Sequence, residues 1–396
     1  MDFPPIMVLD IAGALIVTAI AVVLIAVSGV TILNVIVFPR LQSRNSHGAP
    51  QREHVTVCIP ARDESAIIGR TIRELLGQQG VPFDVLLLDD ASTDGTAALA
   101  VEAANGDARV RVITGQRLPS EAGWFGKNWA CWQLAQEAQG ALLLFADADV
   151  RWQPGSLRAL IDESAASKAG LVTCWPTQQT VTWGERMVVP LMALVIYSYL
   201  PLPLVVYTSW SPFAAANGQC LLFTREAYDR SGGHQAVRNS IVEDIDLARL
   251  VKRAGLRLWM CDGGGLIGCR MYTSWPAVRD GFAKNIIAGY GGTGLMLLGT
   301  LFHWLIYLGP WIWLIGGMIE PAWRAPFPFP ELPLALIGIG ILNRMLSAAA
   351  TGQRLFDALS MPLAVLLMSR IAAQALYWQA RFGGPRWKGR TLTRRP

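Results

Sequence analysis

Residues Ile11 to Val37 form an apolar run without a charge, and three further apolar stretches lie at about Gly292 to Ile319, Leu332 to Ala349 and Leu359 to Ala380. A helix needs about 20 consecutive apolar residues to cross the hydrocarbon core of a bilayer. These runs therefore frame the fold: a globular part must fit between them. Hydrophobic residues make up 52% of the chain and charged residues 16%, which is unusual for a wholly soluble protein and fits an integral membrane protein carrying a soluble part. The first run does not follow the pattern of a cleaved signal, because Asp2 and Asp10 precede or open it without a Lys or Arg, and it is too long. Arg40, Arg44 and Arg52 follow it, so the positive-inside rule places residue 40 onward in the cytoplasm. Three spans after a cytoplasmic part would leave the C-terminus outside. Yet the tail carries Arg381, Arg386, Lys388, Arg390, Arg394 and Arg395 and no acid, which suits anionic lipid headgroups better than nucleic acid. A plain solvated tail explains those charges equally well. Arg344 and Arg370 also sit inside the last two stretches, a costly position at bilayer depth. One of the three is therefore expected to be interfacial or re-entrant.

Between the apolar frames the pattern changes. After a polar linker from Ser43 to Gln51, Val55 to Ile59 reads as a buried strand, Ser65 to Gln79 as a helix, and Val85 to Leu88 as a second strand. Thr96 to Ala104 is the next helix, Val110 to Ile113 a third strand, Lys127 to Ala138 a helix, and the apolar run in the Leu142 to Val150 stretch a buried strand that ends in two carboxylates. This alternation predicts βαβ units and a parallel sheet covered on both faces. The six cysteines show neither a C-x-x-C pair nor a His at metal spacing, which argues for free thiols in a reducing compartment. Met187 to Tyr207 is apolar, but Pro190, Pro201 and Pro203 interrupt it. A span there would also put acidic motifs on either side of it across the membrane from each other. It is expected to lie on the interface, or to form a buried hairpin.

Five clusters carry chemistry. Asp147 and Asp149 end the strand that starts at Leu142, and in a regular strand their i, i+2 spacing would put them on one face. Two carboxylates at a strand's C-terminal end suit a hard divalent cation and the diphosphate it neutralises. A solvated turn is the bland alternative. Ile59-Pro60-Ala-Arg62-Asp-Glu64 could hold a base or ribose, although acids at a helix N-terminus need no further reason. In Asp89-Asp90-Ala-Ser-Thr-Asp94 the three acids exceed what capping requires. Lys127 opens a helix after a glycine, where an anion is welcome, but the P-loop spacing is absent. Glu243 and Asp244 open a helix ended by Gly255, and a carboxylate there can serve as general base on a hydroxyl. Helix-dipole acids are the commoner case. His54, His234 and His303 are isolated and read as structural.

In this order, from about Thr56 to Gly255, these motifs resemble family 2 glycosyltransferases with the nucleotide-diphospho-sugar (GT-A) fold. Gly123-Trp-Phe-Gly-Lys-Asn-Trp-Ala-Cys131, Arg270-Met-Tyr272, Gly281-Phe-Ala-Lys-Asn285 with Gly291-Gly-Thr293, and Trp387-Lys-Gly-Arg390 are similar to the membrane-bound branch that glycosylates carotenoid acids and related isoprenoid lipids. The resemblance implies that Asp90, Asp89 and the Pro60, Arg62, Glu64 segment bind the nucleoside. It implies that Asp147 faces ribose or metal and that Asp149 binds Mg²⁺ or Mn²⁺ on the diphosphate. Lys127 and Asn217 would lie near the donor, and Asp244, with Glu243, would carry the base function in a displacement with inversion. The donor implied is a nucleotide sugar, UDP-glucose, and the acceptor a lipid in the bilayer; no nucleic acid is involved. One departure is the absence of Q/R-x-x-R-W after the acidic motif, which argues against a polymerase. The implied organisation is an α/β, Rossmann-like GT-A sheet between membrane segments. It comprises an anchor at 1–39, a cytoplasmic domain at 52–285, membrane helices at 286–380 and a basic tail at 381–396. A sugar-phosphate nucleotidyltransferase and an inactive scaffold of the same fold are the alternative readings.

Overall fold

The computed structural model describes residues 5–43, 53–119, 123–387 and 390–392. Most of the 43–51 linker, and Lys388, Arg394 and Arg395 of the basic tail, lie outside these residues. The chain folds as two compact units. One is built from Phe38–Gln179 and Leu202–Met271, the other mainly from Met1–Val37, Thr180–Pro201 and Tyr272–Thr391.

The first unit is organised by strands β1 (Val55–Ala61), β2 (Phe83–Asp89), β3 (Val110–Thr114), β4 (Leu142–Ala146), β5 (Val150–Trp152), β6 (Leu171–Trp175), β7 (Thr177–Gln178), β8 (Cys220–Thr224), β9 (Leu258–Asp262) and β10 (Ile267–Cys269). Seven of them make one sheet in the order β3-β2-β1-β4-β8-β6-β9. The inner strands β1, β4, β6 and β8 are buried along nearly their whole length, as expected where both faces are covered; every residue of β4 is buried. The expected parallel sheet is broken by β8, which runs antiparallel to both β4 and β6. A parallel strand would require a crossover back to the same sheet edge. Here the chain instead returns from the long 176–219 excursion at the opposite end. Ala146 therefore pairs with Cys220, which sets the residues after β4 beside those before β8. A small second sheet, β5-β10-β7, lies beyond the end of β4.

Two local details differ from expectation. β4 stops at Ala146, and Asp147-Ala-Asp149 is a turn closed by the Val150 N–H on the Asp147 carbonyl at 3.2 Å, so the two carboxylates do not share a strand face. The helix expected from Ser65 begins only at Ile68, because Asp63 takes a left-handed conformation (φ 51°) and residues 63–65 bond to the loop after β2 instead. Elsewhere in this unit Lys252 is buried. Its ammonium donates to the carbonyls of Leu204 (3.1 Å), Trp210 (3.4 Å) and Phe213 (3.4 Å), tying down the segment that leads toward β8. All six cysteines are free and buried.

Among the described residues, the second unit holds four helices long and apolar enough to cross a membrane: Ala12–Val37, Thr293–Ile319, Glu331–Ala350 and Leu355–Phe382. The apolar 187–207 stretch is not a continuous helix. It divides among Trp183–Val188, Pro190–Tyr199 and Leu202–Tyr207, with breaks at the prolines. Within this unit the Pro190–Tyr199 helix packs on the first long helix. Asn34 Nδ2 donates to the carbonyls of Tyr197 (2.8 Å) and Leu200 (2.7 Å), which the end of the helix leaves unsatisfied, and Thr31 donates to Ser198 Oγ at 2.9 Å. Arg186 forms a two-pronged ion pair with Asp357. Arg344 is buried and donates to the Met187 carbonyl at 3.2 Å, just before the break at Pro190, whereas Arg370 is exposed.

Candidate active site

Four chain segments converge at the C-terminal end of β4. The first is the N-terminus of the helix Gly126–Glu137, which presents Lys127. Its position is fixed by Asn128, whose buried amide donates to the carbonyls of Val237 (2.8 Å) and Ser240 (3.0 Å), while the Phe125 N–H donates to Arg238 O at 2.8 Å. Those contacts hold the loop that leads into the helix Glu243–Arg253. Ser240 Oγ donates to Asp246 Oδ2 at 2.6 Å and steadies the first turn of that helix. Lys127 and Glu243, 116 positions apart in sequence (243 minus 127), are thereby brought into contact.

The Lys127 ammonium lies 2.9 Å from Asp147 Oδ1, 3.0 Å from Glu243 Oε1 and 3.5 Å from the Gly218 carbonyl. Burial works against this ammonium, but Asp147 and then Glu243 outweigh it and hold its pKa well above the ordinary lysine value. The third segment, Asn217-Gly-Gln219, enters from the antiparallel β8. Gly218 N–H donates to Asp244 Oδ2 at 2.8 Å, Asp147 N–H donates to Gln219 O at 3.2 Å, and Asn217 N–H donates to Thr173 Oγ1 at 2.8 Å. A Cβ on Gly218 would sit 3.3 Å from both Asp244 Oδ2 and Lys127 Nζ, so only glycine leaves this approach open without adjustment. Asp244 Oδ1 also accepts from Ile245 N–H at 2.8 Å. Burial first, and then Glu243, push the Asp244 carboxyl up to about 6, against the pull of Lys127 and these two N–H groups.

Asp149 forms the floor of the site with β10. Its Oδ1 is buried with no hydrogen-bond partner among the described residues. Burial, and then the Asp147 charge, raise its pKa to about 7, while a hydrogen bond with Cys269 opposes the rise. The Cys269 thiol itself is pushed well above its usual value by burial and then by Asp149. No group of three or more His, Cys, Asp or Glu side chains among the described residues closes a metal site by itself. Any cation held here would take part of its shell from a ligand, as Mg²⁺-type sites do with substrate phosphates.

The remaining expected residues form a second group at the ends of β1 and β2, where two loops interlock. Pro60 stays within β1, paired with Leu88. Arg62 Nη1 donates to Asp90 O at 3.2 Å and lies 3.6 Å from Asp90 Oδ2. Thr93 N–H donates to Asp63 (2.9 Å), Glu64 N–H to Thr96 Oγ1 (2.8 Å) and Ser65 N–H to Asp94 (2.9 Å). Asp89 accepts from Ser92 N–H at 3.3 Å and Asp94 caps Thr96, so two of the three acids serve the turn itself. Glu64 connects the groups through its charge, which bears on Asp149. His234 is buried against Tyr228 and Phe145, in keeping with a structural role. Asn128, Gln219 and Cys269 are the contributors that no local pattern in the sequence announces.

A family model described as "Glycosyltransferase like family 2" matches residues 50–264. Among curated relatives, the 4,4'-diaponeurosporenoate glycosyltransferases of Staphylococcus aureus strains MRSA252 and USA300 are 28% and 27% identical over 259 residues. Those matches span 63% of this chain and 65% of each relative, so the chain aligns with less than two thirds of their length. Among solved structures, a mannosyltransferase from Pyrobaculum calidifontis in complex with GDP-Man and Mn²⁺ is 19% identical. It covers 92% of this chain and 94% of its own, with a TM-score of 0.47. A glucosyl-3-phosphoglycerate synthase from Mycobacterium tuberculosis, with Mn²⁺, UDP and product, is 18% identical over 59% of this chain and 78% of its own, at a TM-score of 0.38. The family and the mixed sheet together give the GT-A fold class, flanked by helices able to cross a membrane.

Proposed function

The chain belongs to glycosyltransferase family 2, and we propose that it transfers a sugar, glucose from UDP-glucose, with inversion to the hydroxyl or carboxyl of a membrane isoprenoid lipid such as a carotenoid. The observation that carries this reading is the Lys127 ammonium held between Asp147 and Glu243, which locks the Asp147–Asp149 turn against the helix bearing Asp244. The lipid acceptor is supported by the named carotenoid glycosyltransferase relatives and by the four helices able to cross a bilayer. The catalytic unit would face the cytoplasm, a reading supported by Arg40, Arg44 and Arg52 after the first apolar run.

Asp149, with its unpartnered buried oxygen, and Asp147 fit a hard cation that takes oxygen ligands, and they would hold Mg²⁺ or Mn²⁺. When bound, that ion supplies the positive charge that stabilises the departing nucleoside diphosphate. The protein's own groups do the rest. Lys127 adds a fixed positive charge at a helix N-terminus, where backbone N–H groups also favour an anion. Arg62, Asp90 and the 60–64 segment would hold the nucleoside at the ends of β1 and β2, with Glu64 and Asp89 shaping the loops and Asn217 flanking the sugar. Asp244, oriented by the N–H groups of Gly218 and Ile245, would accept the proton of an acceptor hydroxyl. A carboxyl acceptor would arrive already ionised.

The test is transfer from radiolabelled UDP-glucose into a membrane lipid extract by Asp149→Asn. The variant should insert into membranes normally and lose transfer; transfer at the wild-type rate would sink the metal assignment.

A further inference from the structure

The helix Ile68–Leu76 lays a polar line against the chain that follows β4. Thr71 and Glu74 lie on it, and Gln78 continues it just past the helix end; spacings of three and four keep them on one face. Thr71 Oγ1 donates to the Ala148 carbonyl at 2.7 Å. Glu74 Oε1 accepts from Arg151 Nε at 2.8 Å, and its Oε2 from Trp152 N–H at 2.9 Å. Gln78 Nε2 donates to the Gln153 carbonyl at 3.0 Å, and its Oε1 accepts from Leu157 N–H at 3.2 Å. Glu74 and Gln78 thus hold β5 and the chain after it. Thr71 instead holds the middle of the Asp147-Ala-Asp149 turn.

The direction of the Thr71 bond follows from its partners. A carbonyl only accepts, so the hydroxyl supplies the hydrogen. Its other neighbour, the Ile67 carbonyl, lies at 3.4 Å, too far for an ordinary O–H donor, whereas 2.7 Å is the usual length. Thr71 is fully buried and Ala148 is buried too, so water has no access to replace the hydroxyl. The Ala148 carbonyl and the Asp149 N–H share one rigid peptide plane. Orienting that plane sets the direction in which the Asp149 side chain leaves the backbone. On the other side, Asp147 N–H donates to Gln219 O at 3.2 Å. Two segments distant in sequence therefore grip the turn, one at each end.

We propose that Thr71 is a positioning residue for the metal-binding turn: its hydroxyl orients the Ala148–Asp149 peptide so that Asp147 and Asp149 present their carboxylates to one cation. The inference rests on the metal reading proposed above. Thr71 acts through the backbone of the ligands and not on the ion. Groups that orient a metal ligand from behind are worth roughly 10- to 100-fold in affinity, and one acting through the peptide belongs at the lower end.

The experiment is calorimetric titration of Mn²⁺ into the full-length protein in detergent, with UDP present, so the readout is ion binding and not turnover. Thr71→Val, which keeps the shape without the hydroxyl, should weaken Mn²⁺ binding by about 10-fold. Thr71→Ser, which keeps the donor, should retain the wild-type affinity. Thr71→Ala removes the same hydroxyl and serves if the valine variant does not fold. Gln78→Met loosens the far end of the same polar line and should leave Mn²⁺ affinity unchanged. Wild-type Mn²⁺ affinity in Thr71→Val overturns the proposal. So does a serine variant as weak as the valine one, or a Gln78→Met variant that loses as much, since general loosening of the helix would then explain the effect. Loss of UDP binding in chelator by Thr71→Val overturns it as well, because the defect would lie in the nucleotide loops. Absence of Mn²⁺ binding in the wild type overturns the metal reading itself, and the role of Thr71 with it.

Discussion

Replacing Lys127 with Met probes the electrostatics of the whole site. Asp244 Oδ2 and Lys127 Nζ each lie 3.3 Å from the point a Gly218 Cβ would occupy. The two charges are therefore no more than about 7 Å apart, where Coulomb's law gives roughly 0.6 kcal/mol in water and about 2.4 kcal/mol at an effective dielectric constant of 20. The lysine side chain is 38% exposed, so solvent screening favours the lower part of that range. A loss of about 1 kcal/mol corresponds to about 0.7 pH unit. The direction is fixed. Burial and Glu243 already raise the Asp244 carboxyl to about 6, and Lys127 is the cation that resists the rise. Asp244 works as a base only when ionised, so kcat/KM should fall as pH drops through about 6 in the wild type. In Lys127→Met that acidic limb should move upward, toward neutrality. The assay is the pH profile of kcat/KM for transfer from UDP-glucose to a hydroxylated isoprenoid lipid at saturating Mn²⁺. A limb that stays in place or moves to lower pH would refute the assignment of Asp244 as the titrating base under the influence of Lys127. A uniform drop in rate without a shift would mean that Lys127 serves the donor alone.

Two further substitutions test the framework around the site. Gly218→Ala should lower kcat by roughly 10-fold with the fold intact by circular dichroism, because the added carbon crowds Asp244 off the Gly218 N–H; unchanged kcat would show that this contact is dispensable. Lys252→Met should leave the carbonyls of Leu204, Trp210 and Phe213 without their donor and cost about 2–3 kcal/mol. It should expose residues 204–213 to limited proteolysis, and wild-type resistance there would contradict the tether.

Much of this was legible in the residues. The apolar frames, the first strands and helices, and the acidic clusters all follow from local pattern, because burial and periodicity act over a few positions. The antiparallel β8 was not legible, since nothing in Cys220–Thr224 records which way its neighbours run. The Asp147–Asp149 pair stands out from its place after an apolar run, but its geometry is that of a turn, since β4 stops at Ala146, before either acid. From its local context Lys127 reads only as a lysine at a helix start where an anion is welcome. Its union with Glu243 depends on Asn128 gripping the 237–240 carbonyls, a contact between distant segments.

The place of β8 in the sheet also bears on how the protein is made. Strands β3, β2 and β1 are spatial neighbours drawn from the start of the soluble region, and β4 joins them next, so half the sheet can assemble as it leaves the ribosome. The free side of β4, an entirely apolar strand, then waits for a partner that is synthesised only after residues 180–201. Those residues pack with the helices able to cross the membrane, three of which come later still. Until then the growing chain carries an open, sticky strand edge of the kind that recruits other chains. The edge that would aggregate is thus closed by the strand that sets Gln219 against Asp147, and the carboxylates of Glu243 and Asp244 reach the site only after that closure.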